Sequence, residues 1–130
     1  LSTEKARSVL PKSYLVSDVI NNMAKLGLLV NSLNNGEYCN LRFLLGDKIH
    51  QPYRFALING SEKIFEASRE FGALGEYISG AGPTLISLNY DNEEFLNNMR
   101  NMLDTLPDKW TIEKKKVTLK GAEVYDVTDI

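Results

Sequence analysis

The sequence predicts an α+β domain, a mainly antiparallel sheet with helices on one face, and three observations lead there. Apolar residues recur at helical spacing as far as Phe71, alternate at strand spacing on either side of a glycine-rich loop at 80–84, and return to helical spacing from Asn92. Two further strand candidates close the chain, so the order is helices, strand pair, helix, strand pair. With 130 residues, 43% hydrophobic and 25% charged, the chain can bury one core and is short for two, so residues 1–130 are expected to form a single domain.

Each element has a local reason. Ser2 and Thr3 are helix-capping types, Glu4 suits a first turn and Pro11 stops the segment, which predicts a short helix from Ser2 to about Leu10, with Arg7 one turn from Thr3 on the same face. Ser17 is expected to cap a second helix that runs to about Leu33 and ends at Asn34-Asn35-Gly36. Its apolar residues form two sets, Ile20/Met23/Gly27/Val30 and Val19/Leu26/Leu29/Leu33, a stripe wide enough to predict burial on two sides. Glu37 to Leu45 reads as a shorter helix, and His50-Gln51-Pro52-Tyr53-Arg54 as a proline-broken connection. Ser61 is expected to cap a helix to about Phe71 with Ile64, Phe65, Ser68 and Phe71 inward. Residues 73–78 and 84–90 read as strands. Asn92 to Leu106 reads as an amphipathic helix with Phe95, Leu96, Met99, Met102, Leu103 and Leu106 on one face. Trp110 to about Val117 and Ala122 to Val127 read as strands joined near Lys120-Gly121.

Composition removes several function classes. A net charge of −2 lacks the general electrostatic footprint of a nucleic-acid binder, and Lys114-Lys115-Lys116 reads as the solvated side and end of a strand. Cys39 is the single cysteine of the chain, so no intrachain disulfide or multi-cysteine metal site is expected, and a reducing, cytoplasmic setting fits. No apolar stretch approaches ~20 residues and no basic-then-apolar leader opens the sequence, so neither membrane span nor signal peptide is expected. Leu1 stands where a methionine would start a complete protein, and helical sequence follows at once; both suggest a piece of a longer chain.

Gly80-Ala81-Gly82-Pro83-Thr84 demands the least ordinary backbone. Its glycines admit positive φ and let backbone N–H groups approach a ligand, and Pro83 stiffens the loop. Two readings stay open, a two-glycine hairpin turn and an anion-friendly wall of a site.

Three segments, Leu1-Ser2-Thr3-Glu4-Lys5-Ala6-Arg7, His50-Gln51-Pro52-Tyr53-Arg54 and Ser79-Gly80-Ala81-Gly82-Pro83-Thr84, occur in an order and spacing that resemble the C-terminal half of the homoserine kinases, a branch of the GHMP small-molecule kinase family. The resemblance covers most of residues 1–90 and fades after the second strand. It implies a ferredoxin-like two-layer sandwich and a cytoplasmic enzyme that phosphorylates the side-chain hydroxyl of L-homoserine with ATP and Mg2+, on the way to threonine. It also implies that Arg7 and Arg54 bind the substrate carboxylate, a role that suits planar guanidinium forks. Gly80, Ala81 and Gly82 would lie against substrate and transferred phosphate, and Gly80 is a substrate contact. Thr3 would reach the reacting end with its hydroxyl, or serve as an N-cap. His50 takes a supporting role, orienting Arg54 or satisfying a backbone group. No residue of this chain is assigned as a catalytic acid or base, and none as a metal ligand.

The departures from the family matter equally. Its nucleotide loop, rich in glycine and serine and leading into a helix, has no counterpart here, nor is any local carboxylate promoted to hold magnesium. Asn59 stands where many relatives carry proline before Gly60. The chain is therefore expected to bind no ATP or Mg2+ by itself, to be inactive alone, and to need an N-terminal domain of the same protein as partner, which the second helix could face. The resemblance further implies that the first strand of the sheet is missing, its row covered by Ala122–Val127 or by a second copy in a homodimer. An amino-acid-binding regulatory module and a kinase for another small alcohol remain the alternatives.

Overall fold

The computed structural model describes residues 1–118 and 120–124. Six helices and one two-stranded sheet are found among them: α1 (Thr3–Ser8), α2 (Val16–Asn35), α3 (Leu41–Leu44), α4 (Gln51–Arg54), α5 (Ser61–Glu70), β1 (Gly75–Ile78), β2 (Leu85–Leu88) and α6 (Glu93–Leu103). A 3-10 turn, Phe55–Leu57, follows α4 directly. The architecture is α+β, as the period changes in the sequence indicate.

The core forms where the two periodicities meet. β1 and β2 pair antiparallel with Gly75 opposite Leu88 and Ile78 opposite Leu85. Ile78 is buried with Ile64 and Phe65 of α5 and with Phe95, Met99 and Leu103 of α6, so the helical and strand stripes interleave in a single cluster. Phe71, Met102 and Leu106, also expected inward, are partly buried against it. Ser68, fully buried, and the half-buried Ser87 link α5 to β2 through a hydroxyl pair at 2.7 Å.

Several boundaries differ from expectation, each for a local reason. Ser2 alone caps α1, accepting the Lys5 amide at 3.1 Å, which leaves Thr3 as the first helical residue rather than a cap. α2 starts one residue before Ser17, at Val16, with Leu15 in the capping position and no side-chain cap; Gly36, at φ 70°, ends it as expected. The segment 37–45 is helical only over four residues, because the Glu37 amide turns back to Ser32 O and the helix restarts at Leu41. His50–Arg54 is a helical turn and not a broken connection: Pro52 falls in the first turn of α4, where its missing N–H costs nothing. Gly60, at φ 81°, occupies the cap position of α5, and Ser61 is the first helical residue, its hydroxyl donating to Phe55 O at 3.4 Å.

Three larger expectations are overturned. Trp110–Val117 is not a strand. Trp110 and Ile112 do reach the core at strand spacing, but a cleft of about 320 Å³, lined by residues of β2 and of 112–117, takes the place of a hydrogen-bonded ladder. Lys114 there pairs with Asp91 and Glu93, both at 2.5 Å, and Lys115 with Glu113 at 2.8 Å. Ala122–Val124 form no strand and Val124 is fully exposed; residues 125–127 of that candidate lie outside the described residues. The third concerns α2, which is not buried on two sides. Val16, Ile20, Met23, Leu26, Val30 and Leu33 are all exposed.

Among the described residues the outer edge of β1 is partly covered from within the chain. The Ile78 N–H, which would meet a preceding strand, instead donates to Gln51 Oε1 at 2.8 Å, and Gln51 Nε2 donates to Leu45 O at 3.2 Å. Gly75 packs so close to α3 that a Cβ there would lie 3.1 Å from the Arg42 backbone nitrogen. Gln51 and α3 thus cover part of the outer edge of β1.

Candidate active site

α4 positions the central residue of the site. The turn is held at its start by Asp47, whose carboxylate accepts the amides of Ile49 (3.0 Å), His50 (2.7 Å) and Gln51 (2.6 Å) and the Asn22 carboxamide of α2 (2.5 Å). Burial opposes the charge on Asp47, but these four donors outweigh it and hold its pKa below the ordinary carboxylate value. One acid therefore fixes the N-terminus of α4 and ties it to α2.

At the other end of the turn Arg54 is 9% exposed, and its guanidinium is shared among three segments. Nε donates to Ala6 O of α1 at 3.1 Å, and Nη1 donates to Gly80 O of the hairpin loop at 2.7 Å. The same Nη1 lies 3.1 Å from His50 Nδ1. A guanidinium nitrogen can only donate, so His50 Nδ1 accepts and the imidazole carries its proton on Nε2. Burial pushes the His50 pKa down; Asp47, 3.8 Å from Nε2, pulls it up, and the Arg54 charge adds to the lowering. The imidazole in this arrangement is neutral and lies against the arginine.

The hairpin loop is the two-glycine turn that the sequence allowed. It is closed by Ser79 N–H to Thr84 O at 2.9 Å and Gly82 N–H to Ser79 O at 3.0 Å, with Gly80 at φ 57°, Gly82 at φ 76° and a cis bond before Pro83. It is also attached to Arg54 through the Gly80 carbonyl. Among the described residues the amides of Gly80 and Ala81 have no protein acceptor, whereas the Gly82 amide is used by the turn. Gly82 is further fixed by packing, since a Cβ there would lie 2.7 Å from Ile58 Cδ1.

The structure therefore brings together Arg54, His50 and Gly80, and places α1 against them through the Ala6 carbonyl. Thr3 and Arg7 flank that fully buried alanine and are exposed; neither side chain has a hydrogen bond among the described residues. Arg54 Nη2 likewise has no partner among the described residues. The free Nη2 of Arg54 and the loop amides at this junction suit a small carboxylate-bearing ligand. Among the described residues no group of three or more His, Cys, Asp or Glu could hold a metal ion, and no helix is long and apolar enough to cross a membrane.

Asp47, Asn22 and Gln51 were not singled out from the sequence. An aspartate just ahead of a helical turn with proline in its first turn is a readable capping signal. The contacts of Asn22 and Gln51, separated by 25 and 27 residues from their partners, left no local trace.

Comparison with known proteins identifies the family of the chain. Residues 17–105 match the family model described as GHMP kinases C terminal. Curated homoserine kinases of Clostridium novyi and Clostridium acetobutylicum are 49% and 46% identical over 125 residues, which is 95% of this chain and 42% of theirs. The crystal structure of homoserine kinase from Cytophaga hutchinsonii matches with a TM-score of 0.74 at 30% identity, over 80% of this chain and 34% of that one. The chain thus spans less than half the length of the curated relatives it matches. With the family match extending over most of the chain, from α2 to the end of α6, this protein belongs to the GHMP kinases as a C-terminal domain.

Proposed function

We propose that this chain is the substrate-side domain of a homoserine kinase, which transfers the γ-phosphate of ATP to the side-chain hydroxyl of L-homoserine in the cytoplasm. The observation that carries the reading is the Arg54 junction. It joins α1, α4 and the glycine loop, the three segments in which the family resemblance resides.

In this reading Arg54 Nη2 and the Arg7 guanidinium bind the homoserine carboxylate, and the free amides of Gly80 and Ala81 face substrate and transferred phosphate. Thr3 lies toward the reacting end of the substrate. His50 keeps Arg54 in place and takes no proton from the substrate. Phosphoryl transfer depends on positioning and charge stabilisation. This reading assigns ATP and Mg2+ to an N-terminal domain of the same protein, because this sequence has no glycine- and serine-rich loop entering a helix and no group of His, Cys, Asp or Glu among the described residues could hold a metal ion.

Steady-state kinetics of the full-length protein test this reading. Arg7→Ala should raise the KM for homoserine at least tenfold and leave that for ATP within twofold, because about 1.4 kcal/mol of lost carboxylate binding is a factor of ten. Unchanged homoserine kinetics would refute the site. The chain by itself should show no phosphorylation of homoserine, and turnover by it would refute the division of labour between domains.

A further inference from the structure

α4 is a single turn and cannot hold itself. Its own backbone supplies Arg54 N–H to His50 O at 3.3 Å and Phe55 N–H to Gln51 O, and one turn is an unfavourable nucleus without outside support. The direction of the Arg54 side chain therefore depends on whatever fixes that turn. Asp47 fixes it, from a side chain only 10% exposed. Oδ1 accepts the Ile49 amide and the Asn22 carboxamide, and Oδ2 accepts the amides of His50 and Gln51, so each oxygen takes two donors. A carboxylate is acceptor-only and serves them all, whereas an asparagine would turn its NH2 group toward donors.

The same acid reaches Arg54 by a second route. Oδ2 lies 3.8 Å from His50 Nε2, which favours a proton there and leaves Nδ1 to accept from Arg54 Nη1 at 3.1 Å. Nη1 also donates to Gly80 O and Nε donates to Ala6 O, so the donors left over are those of Nη2. Carboxylate charge, imidazole tautomer and guanidinium orientation form one series. Its free end is the nitrogen that the site offers to a ligand.

We infer that Asp47 is a positioning residue of this site, which through α4 and the His50 tautomer aims Arg54 Nη2 at the carboxylate of the substrate. The inference rests on the homoserine-kinase reading above. It requires a carboxylate at this position, where a merely structural cap would need only an acceptor. Binding through Nη2 is common to ground state and transition state, so loss of aim acts on the KM for homoserine rather than on kcat.

Kinetics and NMR of the ring nitrogens, both on the full-length protein, test it. Asp47→Asn should raise the KM for homoserine about fivefold or more, with kcat and the KM for ATP within about twofold. On an Arg54→Lys background it should add less than about twofold, because the group being aimed is already gone. The His50 ring, assigned by the signals that His50→Gln removes, should carry its proton on Nε2 at neutral pH. In Asp47→Asn its two nitrogens should show averaged shifts, since neither partner then keeps the proton on one of them. A proton on Nδ1 in the unsubstituted protein overturns the inference, and this outcome does not depend on any variant folding. An unaltered homoserine KM or an unaltered tautomer in folded Asp47→Asn overturns it as well, even if the urea midpoint falls, for that is the signature of a cap alone. So does a full additive effect in Arg54→Lys. If Arg7→Ala leaves the homoserine KM unchanged, the homoserine reading fails, and the setting of Arg54 by Asp47 then stands or falls on the tautomer.

Discussion

Arg54 donates from Nη1 to the carbonyl of Gly80 at 2.7 Å, so the glycine loop is held by a side chain 26 residues away rather than by its own turn alone. The Nε bond to Ala6 O adds α1 to the same guanidinium. Lysine keeps the charge but has no planar fork to reach both carbonyls. Arg54→Lys should therefore destabilise the fold by about 2–4 kcal/mol, from two charge-assisted bonds each worth about 1.5–3 kcal/mol less what the ammonium regains. Urea denaturation measures it, and an unchanged midpoint would remove the junction from the account of stability.

Gln51 offers a separate test at the sheet edge. Its Oε1 accepts the Ile78 N–H at 2.8 Å in a buried setting. Leucine is close in size and cannot accept, so Gln51→Leu should cost about 1–3 kcal/mol for the unsatisfied amide. Hydrogen exchange at Ile78 should accelerate, and a protected Ile78 amide in the variant would show that another group covers the edge.

Stability should fall on mild acidification because of His50. Its folded pKa is depressed, so the unfolded chain takes up the proton first. The contribution is complete above the unfolded value of about 6.5 and is lost as pH falls below it toward the folded pKa. Asp47, depressed below the ordinary carboxylate value, adds a second loss at more acid pH, beginning near about 4. Denaturation midpoints followed downward from neutral pH should show two steps, and His50→Gln should abolish only the first. A midpoint flat between neutrality and about pH 5 would contradict the neutral imidazole.

The two glycines of the loop should respond differently to alanine. Both have positive φ, which costs an alanine about 1 kcal/mol, and a Cβ at Gly80 meets open space. At Gly82 it meets Ile58 Cδ1 at 2.7 Å and Ile78 Cγ2 at 3.2 Å, so the core must shift as well. Gly82→Ala should lower the thermal midpoint more than Gly80→Ala, while in the full-length protein Gly80→Ala should affect homoserine kinetics more than Gly82→Ala affects them at matched stability. Equal thermal effects would mean that Ile58 yields without cost.

Local signals carried most of the fold into the sequence. Ser2, Gly36 and Asn92 cap their helices as their residue types suggest, and the stripe from Phe95 to Leu103 packs where its period places it. What failed was pairing. Trp110 and Ile112 have the alternation of a strand, yet alternation sets which side chains face inward and does not supply a hydrogen-bonded neighbour. The stripe on α2 was legible as apolar, but period alone gives no sign of whether the covering surface belongs to the same domain. Arg54, His50 and Gly80 were singled out through the family resemblance, and the structure brings them together. Their mutual bonds, and the part played by Asp47, follow from long-range closure that no local pattern records.

The Arg54 bonds to Ala6 and Gly80 close chain loops of 48 and 26 residues, and closing loops of that length is an entropic cost met only when the flanking core is already formed. On that ground the site is expected to close late in folding, with the 48-residue loop to α1 the costlier of the two to close. A ligand seated between Arg54 and α1 would act as a clasp on that final closure. It would slow the fraying of the N-terminus, so that occupancy of the site can be read from the protease resistance of the first helix.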